Sequence, residues 1–345
     1  MQISQIDYEL PDELVAQEPL EQRDASRMLV LDRAKKGWTD SSFRQLPDYI
    51  RPDDVLVINN TRVFPARLIG QRDPSLGRVE VLLVRELEPF VWEALVRPGR
   101  RLKQGSRIQF GRSRLRAEML DEPGEGVRRL RFECSGVWES VLDEIGETPL
   151  PPYINRPKGS SAADRERYQT VYARASGAIA APTAGLHFTP LIIEQAIARG
   201  AKVVEITLHV GYGTFEPVHV SDSEQHRVAA ERFEISEEAA RTINTARGRG
   251  GRVLAVGTTT TRALEASASA QGVLEAANSS AELTITPGYK FRMVDALLTN
   301  FHLPRSSLLL LVSAFAGTEF VLDAYRHAVA SRYRFYSYGD CMLLI

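Results

Sequence analysis

The sequence predicts an α/β fold: a layered α/β domain interrupted by a small antiparallel β-barrel domain. Three observations carry this. Strand-like apolar runs alternate with helical periodicity in both outer parts of the chain, as in "KVVEITLHVG" after the helix-like "TPLIIEQAIARG". From about residue 62 the texture changes to short alternating runs broken by Gly and Pro-Gly turns. The length of 345 residues also exceeds a usual single domain. The expected division is a discontinuous α/β catalytic domain over residues 1–61 and 150–345, with residues 62–149 as the inserted barrel.

In chain order, "MLVLD" from residue 28 reads as a strand, "SSFRQLPDYI" as a short capped helix, and "VLVI" from residue 55 as a second strand running into "NNTRVFPARL". The barrel strands follow as "RVEVLLVREL", "FVWEALV", "SRIQF", "RLRAEML" and "VRRLRFEC", at the spacing of a small all-β unit. "VWESVLDEI" is helical and stops at Gly146. Residues 155–167, "NRPKGSSAADRER", read as a mobile loop. Thr189 and Pro190 form a helix start, hydroxyl cap then first-turn proline, and Gly200 ends that helix.

Composition narrows the function classes. The net charge of −1 gives no overall attraction to nucleic acid, so an RNA site requires local segregation of charge. Two distant cysteines, Cys134 and Cys341, exclude a disulfide framework and a cysteine-rich zinc site. The histidines lack the short regular spacing of a metal site, so no metal is expected. The N-terminal residues carry no leader pattern and the longest apolar run is "LLLLV" at 308–312, far below the ~20 residues of a membrane span. A cytoplasmic, monomeric protein without a membrane partner is the expectation.

Candidate chemistry lies in polar loops that follow strand-like runs, because ligands in open α/β sheets bind outside the carboxyl ends of the strands. That rule gathers His209 and Gly211 to Glu216, Thr258 to Arg262, and Asn300 to His302; His187 precedes a helix start in "APTAGLHFTP". Imidazole titrates near working pH, so His187, His209 and His302 are candidate proton-transfer groups, with Glu216 beside them. Ordinary roles stay open to all of them: a turn, a packed core histidine, or a helix cap for the threonines. No Walker motif is present, and "GYGTFE" lacks the third glycine of a dinucleotide fingerprint. The run from Arg97 to Arg116 holds Arg97, Arg100, Arg101, Lys103 and Arg107 among its cations and no acid. It suits a phosphate backbone, or else is a solvated face balanced by acids folded nearby.

The stretches "NNTRVFPARL", "RYQTVYA", "APTAGLHFT", "LHVGYGTFEPV", "VGTTTTRALE", "TNFHLPRSSLLLLVSAFAG" and "YRFYSYGDCMLLI" together resemble the S-adenosylmethionine:tRNA ribosyltransferase-isomerase family of queuosine biosynthesis. The resemblance runs from end to end. It implies an α/β domain with an inserted barrel, and transfer of the ribosyl part of S-adenosylmethionine to the 7-aminomethyl-7-deazaguanine at the tRNA wobble position. Rearrangement there gives epoxyqueuosine-tRNA, with adenine and methionine released; S-adenosylmethionine is a consumed substrate and no cofactor is implied. The sulfonium acidifies the adjacent ribose carbon, so a positioned base can start the reaction.

On that reading Asn59, Asn60, Thr61, Arg62, Thr183, Gly211, Thr258, Thr259 and Thr260 bind substrate, and Arg62 or Arg262 holds the methionine carboxylate. Phe188, Tyr212 or Phe215 stack on the extruded base. The sequence departs from the family pattern H-x-M-H-x-E, since "HRVAAE" keeps His226 and Glu231 but has Val228 and Ala229; Ser307 and Cys341 stand for the usual threonine and alanine. An ordinary RNA methyltransferase, which would release S-adenosylhomocysteine, and a non-catalytic RNA-binding protein are the competing readings.

Overall fold

The computed structural model describes the chain except residues 100–101, 125, 158, 212–219 and 221. Its outer segments build a nine-stranded mixed sheet. The order is β16 (Ala277–Ala281), β14 (Glu231–Ile235), β13 (Lys202–Leu208), β3 (Val55–Asn59), β15 (Val253–Val256), β17 (Ala296–Asn300), β18 (Cys341–Leu344), β1 (Arg27–Asp32) and β2 (Gly37–Ser42). The central strands β13, β3, β15 and β17 are parallel, so their carboxyl ends share one edge. β3, β15 and β17 are buried at every residue, as strands covered on both faces must be.

Alternation divides each strand between two cores. Leu29, Leu31, Val55 and Val57 pack with helices α4 (Glu237–Gly248), α5 (Thr258–Ser267), α6 (Ser307–Ala316) and α7 (Thr318–Ala330). Met28, Val30, Leu56 and Ile58 pack with α3 (Pro190–Ala198) and Phe43–Tyr49 on the other side. Among the described residues no single helix is long and apolar enough to cross a membrane; α6 and α7 bend by 115° at their junction.

The barrel closes in the order β5 (Arg67–Asp73), β6 (Arg78–Glu88), β7 (Val91–Arg97), β10 (Val127–Cys134), β9 (Leu115–Gly124), β8 (Arg107–Phe110) and back to β5. β11 (Gly146–Glu147) extends β5. Its core takes one residue in two from each strand, and α1 (Trp138–Ile145) closes over it through Val141 and Leu142. At the junction with the large sheet, β4 (Thr61–Val63) pairs in parallel with β12 (Ala175–Ala178).

Three expectations are corrected. The helix at "SSFRQLPDYI" is a 3₁₀ helix, Phe43–Tyr49; Ser42 and Gln45 form the capping box, but Pro47 lies inside and has no N–H for an α-helical ladder. The residues before it form the edge strand β2, which "GWTDSS" hides because it has no apolar alternation. Residues 162–167 of the expected loop are a short helix, α2 (Ala162–Arg167), started by a Ser161–Asp164 capping box and tied down by Arg156 on Asp164, 3.0 Å.

Candidate active site

The carboxyl edge of the central strands forms a narrow recess. Thr183, Val210, Gly257, Thr258, Thr259, Thr299, Asn300, His302 and Tyr336 are among its lining, and it holds only about 40 Å³. Helix α5 starts here with Gly257 as N-cap, at φ +95, and no side chain caps it. The first N–H groups of a helix have no intrahelical acceptor, so these donors and the positive end of the helix dipole meet at the recess. Thr260 is turned away, with its hydroxyl on Val256 O at 2.7 Å. Tyr336 holds φ +74, an unusual conformation for an aromatic residue.

Asn300 is the best-anchored polar group in the recess. Its Nδ2 donates to Tyr336 O at 3.0 Å and to His187 Nε2 at 3.3 Å, while its buried Oδ1 has no partner. His187 is the far end of this arrangement. Ser26 donates to Arg23 O, which leaves its oxygen to accept from His187 Nδ1 at 2.8 Å. The Nδ1–H tautomer follows, with Nε2 as acceptor for Asn300. Burial, then the cations Arg23 and Arg334, push His187 down to about 4. It is neutral and lines a separate small hollow, with Arg23, Ser26 and Tyr338. His302 is neutral too, pushed by burial to about 3, and is held by Thr299 Oγ1 at 2.9 Å.

Val210 also lines a much larger cleft of about 750 Å³ between barrel and sheet. A cavity of that size fits a small-molecule ligand, and the recess alone does not. On the sheet side stand His209, Gly211, Arg62, Gly177 and Arg232; on the barrel side stand Phe64, Trp92 and Trp138. His209 Nδ1 is 2.8 Å from Thr61 Oγ1, and Thr61 donates to Ala175 O. Thr61 therefore accepts from Nδ1–H, and the lone pair of His209 is on Nε2. Partial burial and then Arg232 lower its pKa below the ordinary imidazole value, so the ring is a neutral base at physiological pH. Gly177 lets it sit there, since a Cβ at that position would be 2.8 Å from His209 Cε1. Gly177 is marked by no motif or periodicity, and Tyr336 only as part of the stretch "YRFYSYGDCMLLI"; the chain's tertiary path brings both to the site.

Several expected ligand residues are committed elsewhere. Asn59 is fully buried and links strand ends, donating to Leu208 O and accepting from Thr61 N and Leu208 N. Asn60 bonds Glu205 and Thr207. The Gly211 amide donates to Glu231. Arg262 is no carboxylate clamp: it pairs with Glu231 at 2.6 Å and spends its other nitrogens on the carbonyls of Leu283, Ala229 and Ala281. Phe188 is a core residue against Phe43, not a stacking platform. His226 bonds Ser307 Oγ at 2.7 Å, so serine at that position keeps the hydroxyl in use. Tyr212, Phe215 and Glu216 lie outside the described residues, as do Arg100 and Arg101.

Strand pairing also changes what the basic run presents. Arg97 is directly opposite Glu80. Arg107 is opposite Glu118 on one side and Asp73 on the other, and directly opposed side chains share a face. Lys103 lines a hollow that also holds Asp121 and Glu122. The cleft takes its β6 residues from Val84 to Glu86, whereas Arg97 pairs near the other end of that strand. Arg97, Lys103 and Arg107 thus stand among carboxylates on the barrel.

His209 thus stands at the carboxyl edge of an α/β sheet and faces a closed barrel across a cleft, the position at which enzymes of open α/β architecture bind their ligands. The family model described as queuosine biosynthesis protein matches residues 3–344. The chain is 49% identical to the S-adenosylmethionine:tRNA ribosyltransferase-isomerase of Pelotomaculum thermopropionicum and 50% identical to that of Symbiobacterium thermophilum, with 100% of both chains covered in each case. The crystal structure of the S-adenosylmethionine tRNA ribosyltransferase from Thermotoga maritima matches with 38% identity and a TM-score of 0.56, covering 99% of this chain and 100% of that one. The chain belongs to the queuosine biosynthesis protein family.

Proposed function

We propose that this chain is an S-adenosylmethionine:tRNA ribosyltransferase-isomerase. It moves the ribosyl group of S-adenosylmethionine to the aminomethyl nitrogen of 7-aminomethyl-7-deazaguanine at the wobble position and rearranges it, releasing adenine and methionine. The observation that carries the reading, beside the family, is His209: a neutral imidazole in the cleft with its free lone pair on Nε2 and its tautomer set by Thr61. His209 removes a proton from the ribose carbon next to the sulfonium, whose positive charge makes that carbon acidic. The electron pair left behind forms a double bond to the neighbouring ribose carbon and expels the ring oxygen. That oxygen then forms a carbonyl at the anomeric carbon as the bond to adenine breaks, and adenine departs as the neutral purine once a ring nitrogen is protonated. A neutral base suits a cationic substrate, because an imidazolium there would repel it.

The recess fits the amino-acid end of the substrate. The uncapped start of α5 offers N–H donors to the carboxylate, and the unpartnered Oδ1 of Asn300 offers an acceptor to the ammonium. On this reading the carboxylate is held at Thr258 and Thr259 instead of at Arg262. His187 positions Asn300, and His302 with Thr299 lines the recess beside it. S-adenosylmethionine is a substrate and the reaction uses no cofactor. The enzyme acts as a monomer in the cytoplasm, where its tRNA is. Incubation with S-adenosylmethionine and tRNA carrying the aminomethyl base, followed by nucleoside mass analysis, tests the reading. Epoxyqueuosine with free adenine and methionine supports it; S-adenosylhomocysteine or unaltered tRNA refutes it.

A further inference from the structure

We propose that the barrel wall of the cleft, Phe64, Trp92 and Trp138, is the stacking platform for the wobble base of the tRNA substrate; this rests on the reading above. Trp92 and Trp138 stack with their rings 5.9 Å apart and inclined by 25°. Phe64 lies 5.7 Å from Trp92. Phe132 and Phe90 hold the Trp138 indole edge-on, at 5.4 and 5.6 Å, the first from the barrel core and the second from the exposed turn between β6 and β7. Trp138 is nonetheless only half-buried and lines the cleft, which leaves part of its surface to a ligand.

The occupant follows from what shares the cavity. A base inside an anticodon stack cannot reach a catalytic group, so an enzyme acting on it must swing it out and replace the lost stacking. Val210 lines both the cleft and the recess, so a base on the barrel wall would stand across the cleft from His209, with the recess on the other side of Val210. Two of the cleft's cations, Arg85 and Arg165, are paired with Glu93 and Asp143. Among the described residues Arg62 and Arg232 make no ion pair, and both are exposed at the cleft, where flanking phosphates would pass. A planar, apolar-faced ring with adjacent negative charge is what these walls complement, and an RNA base with its backbone has that chemistry.

The chain's own indoles report on this. Trp38 packs on Phe320 and His327 instead, so in a Trp38→Phe background the emission comes from the cleft. An anticodon stem-loop with a base at the wobble position should quench that emission on binding; the same loop abasic at that position, or S-adenosylmethionine alone, should not. Trp138→Leu should weaken the base-containing loop by about 10- to 100-fold and leave the abasic loop unchanged, while Trp138→Phe should restore most of the affinity. Equal effects of Trp138→Leu on both loops, no effect on either, or quenching by S-adenosylmethionine alone would overturn the proposal. Adenine release by the unaltered chain, measured in parallel, tests the family reading separately from the platform.

Discussion

The imidazole of His209 lies against Gly177 so closely that a methyl carbon there would stand 2.8 Å from its Cε1 and 2.9 Å from its Nδ1. Real side chains do not approach like this, so the glycine is the space the ring occupies, and Thr61 sets its tautomer.

Gly177→Ala should therefore push His209 off its seat. Gly177 is exposed but sits in a short strand at φ +146, a conformation L side chains rarely adopt, so the substitution also costs about 1–3 kcal/mol of stability. The expected result is a kcat lower by about 10²-fold, the scale of lost acid–base assistance, in a protein that still unfolds cooperatively. Unchanged kcat in the folded variant would show that His209 is not the base.

The pH profile carries a sign. Burial and Arg232 lower the His209 pKa, with Glu234 opposing them. If neutral His209 is the base, activity is full above that pKa and falls as pH drops through it, so the acidic limb of kcat/KM should be centred below 6.5. Arg232→Gln removes a lowering charge and should move the limb up; Glu234→Gln should move it down. A limb that ignores both substitutions belongs to another group.

His187 and His302 are buried and neutral, pushed to about 4 and about 3. Above 6.5 neither the folded nor the unfolded chain protonates them. Below 6.5 the unfolded chain takes up the protons first, so stability falls with pH until the folded-state values are reached, by at most about 1.4 kcal/mol per unit for each group. His187→Gln should flatten part of this loss in denaturant titrations between pH 6.5 and 4. It should also raise KM for S-adenosylmethionine by freeing Asn300 to turn, while leaving the acidic limb of kcat/KM in place. A displaced limb would instead make His187 a proton-transfer group.

Much of this arrangement was legible in the sequence. The barrel strands β6 to β10 alternate cleanly because each buries one face, and the Thr189–Pro190 helix start is local chemistry that any context keeps. β2 was not legible, since an exposed edge strand needs no apolar alternation. At the site, the loops around His209, Thr258 and Asn300 were found by the rule that ligands gather at carboxyl strand ends. What that rule cannot do is separate residues that face a ligand from those that hold the loops: Asn59 and Arg262 have the right chemistry and turn it inward, on Leu208 and Glu231. Gly177 lies in "ARASGAIA", where nothing local marks a histidine 32 residues away in the chain as its neighbour.

Charge segregation is the clearest case of a linear pattern changed by pairing, and it yields a prediction on RNA binding. Arg97 and Arg107 belong to a run without acids in sequence, yet the ladder sets Glu80 opposite the first and Glu118 and Asp73 beside the second. A phosphate near either arginine meets those carboxylates too, so the net attraction is small. Arg62 has no such partner among the described residues and lines the cleft. Each lost phosphate contact flattens the slope of log affinity against log salt by about 1. Arg62→Ala should therefore flatten the slope for tRNA by about 1, and do so equally for cognate and non-cognate anticodons, because backbone contacts position without reading bases. Arg97→Ala should leave the slope where it is. The reverse outcome, a slope moved by Arg97→Ala and not by Arg62→Ala, would place the RNA on the outer barrel face and take the cleft out of its path.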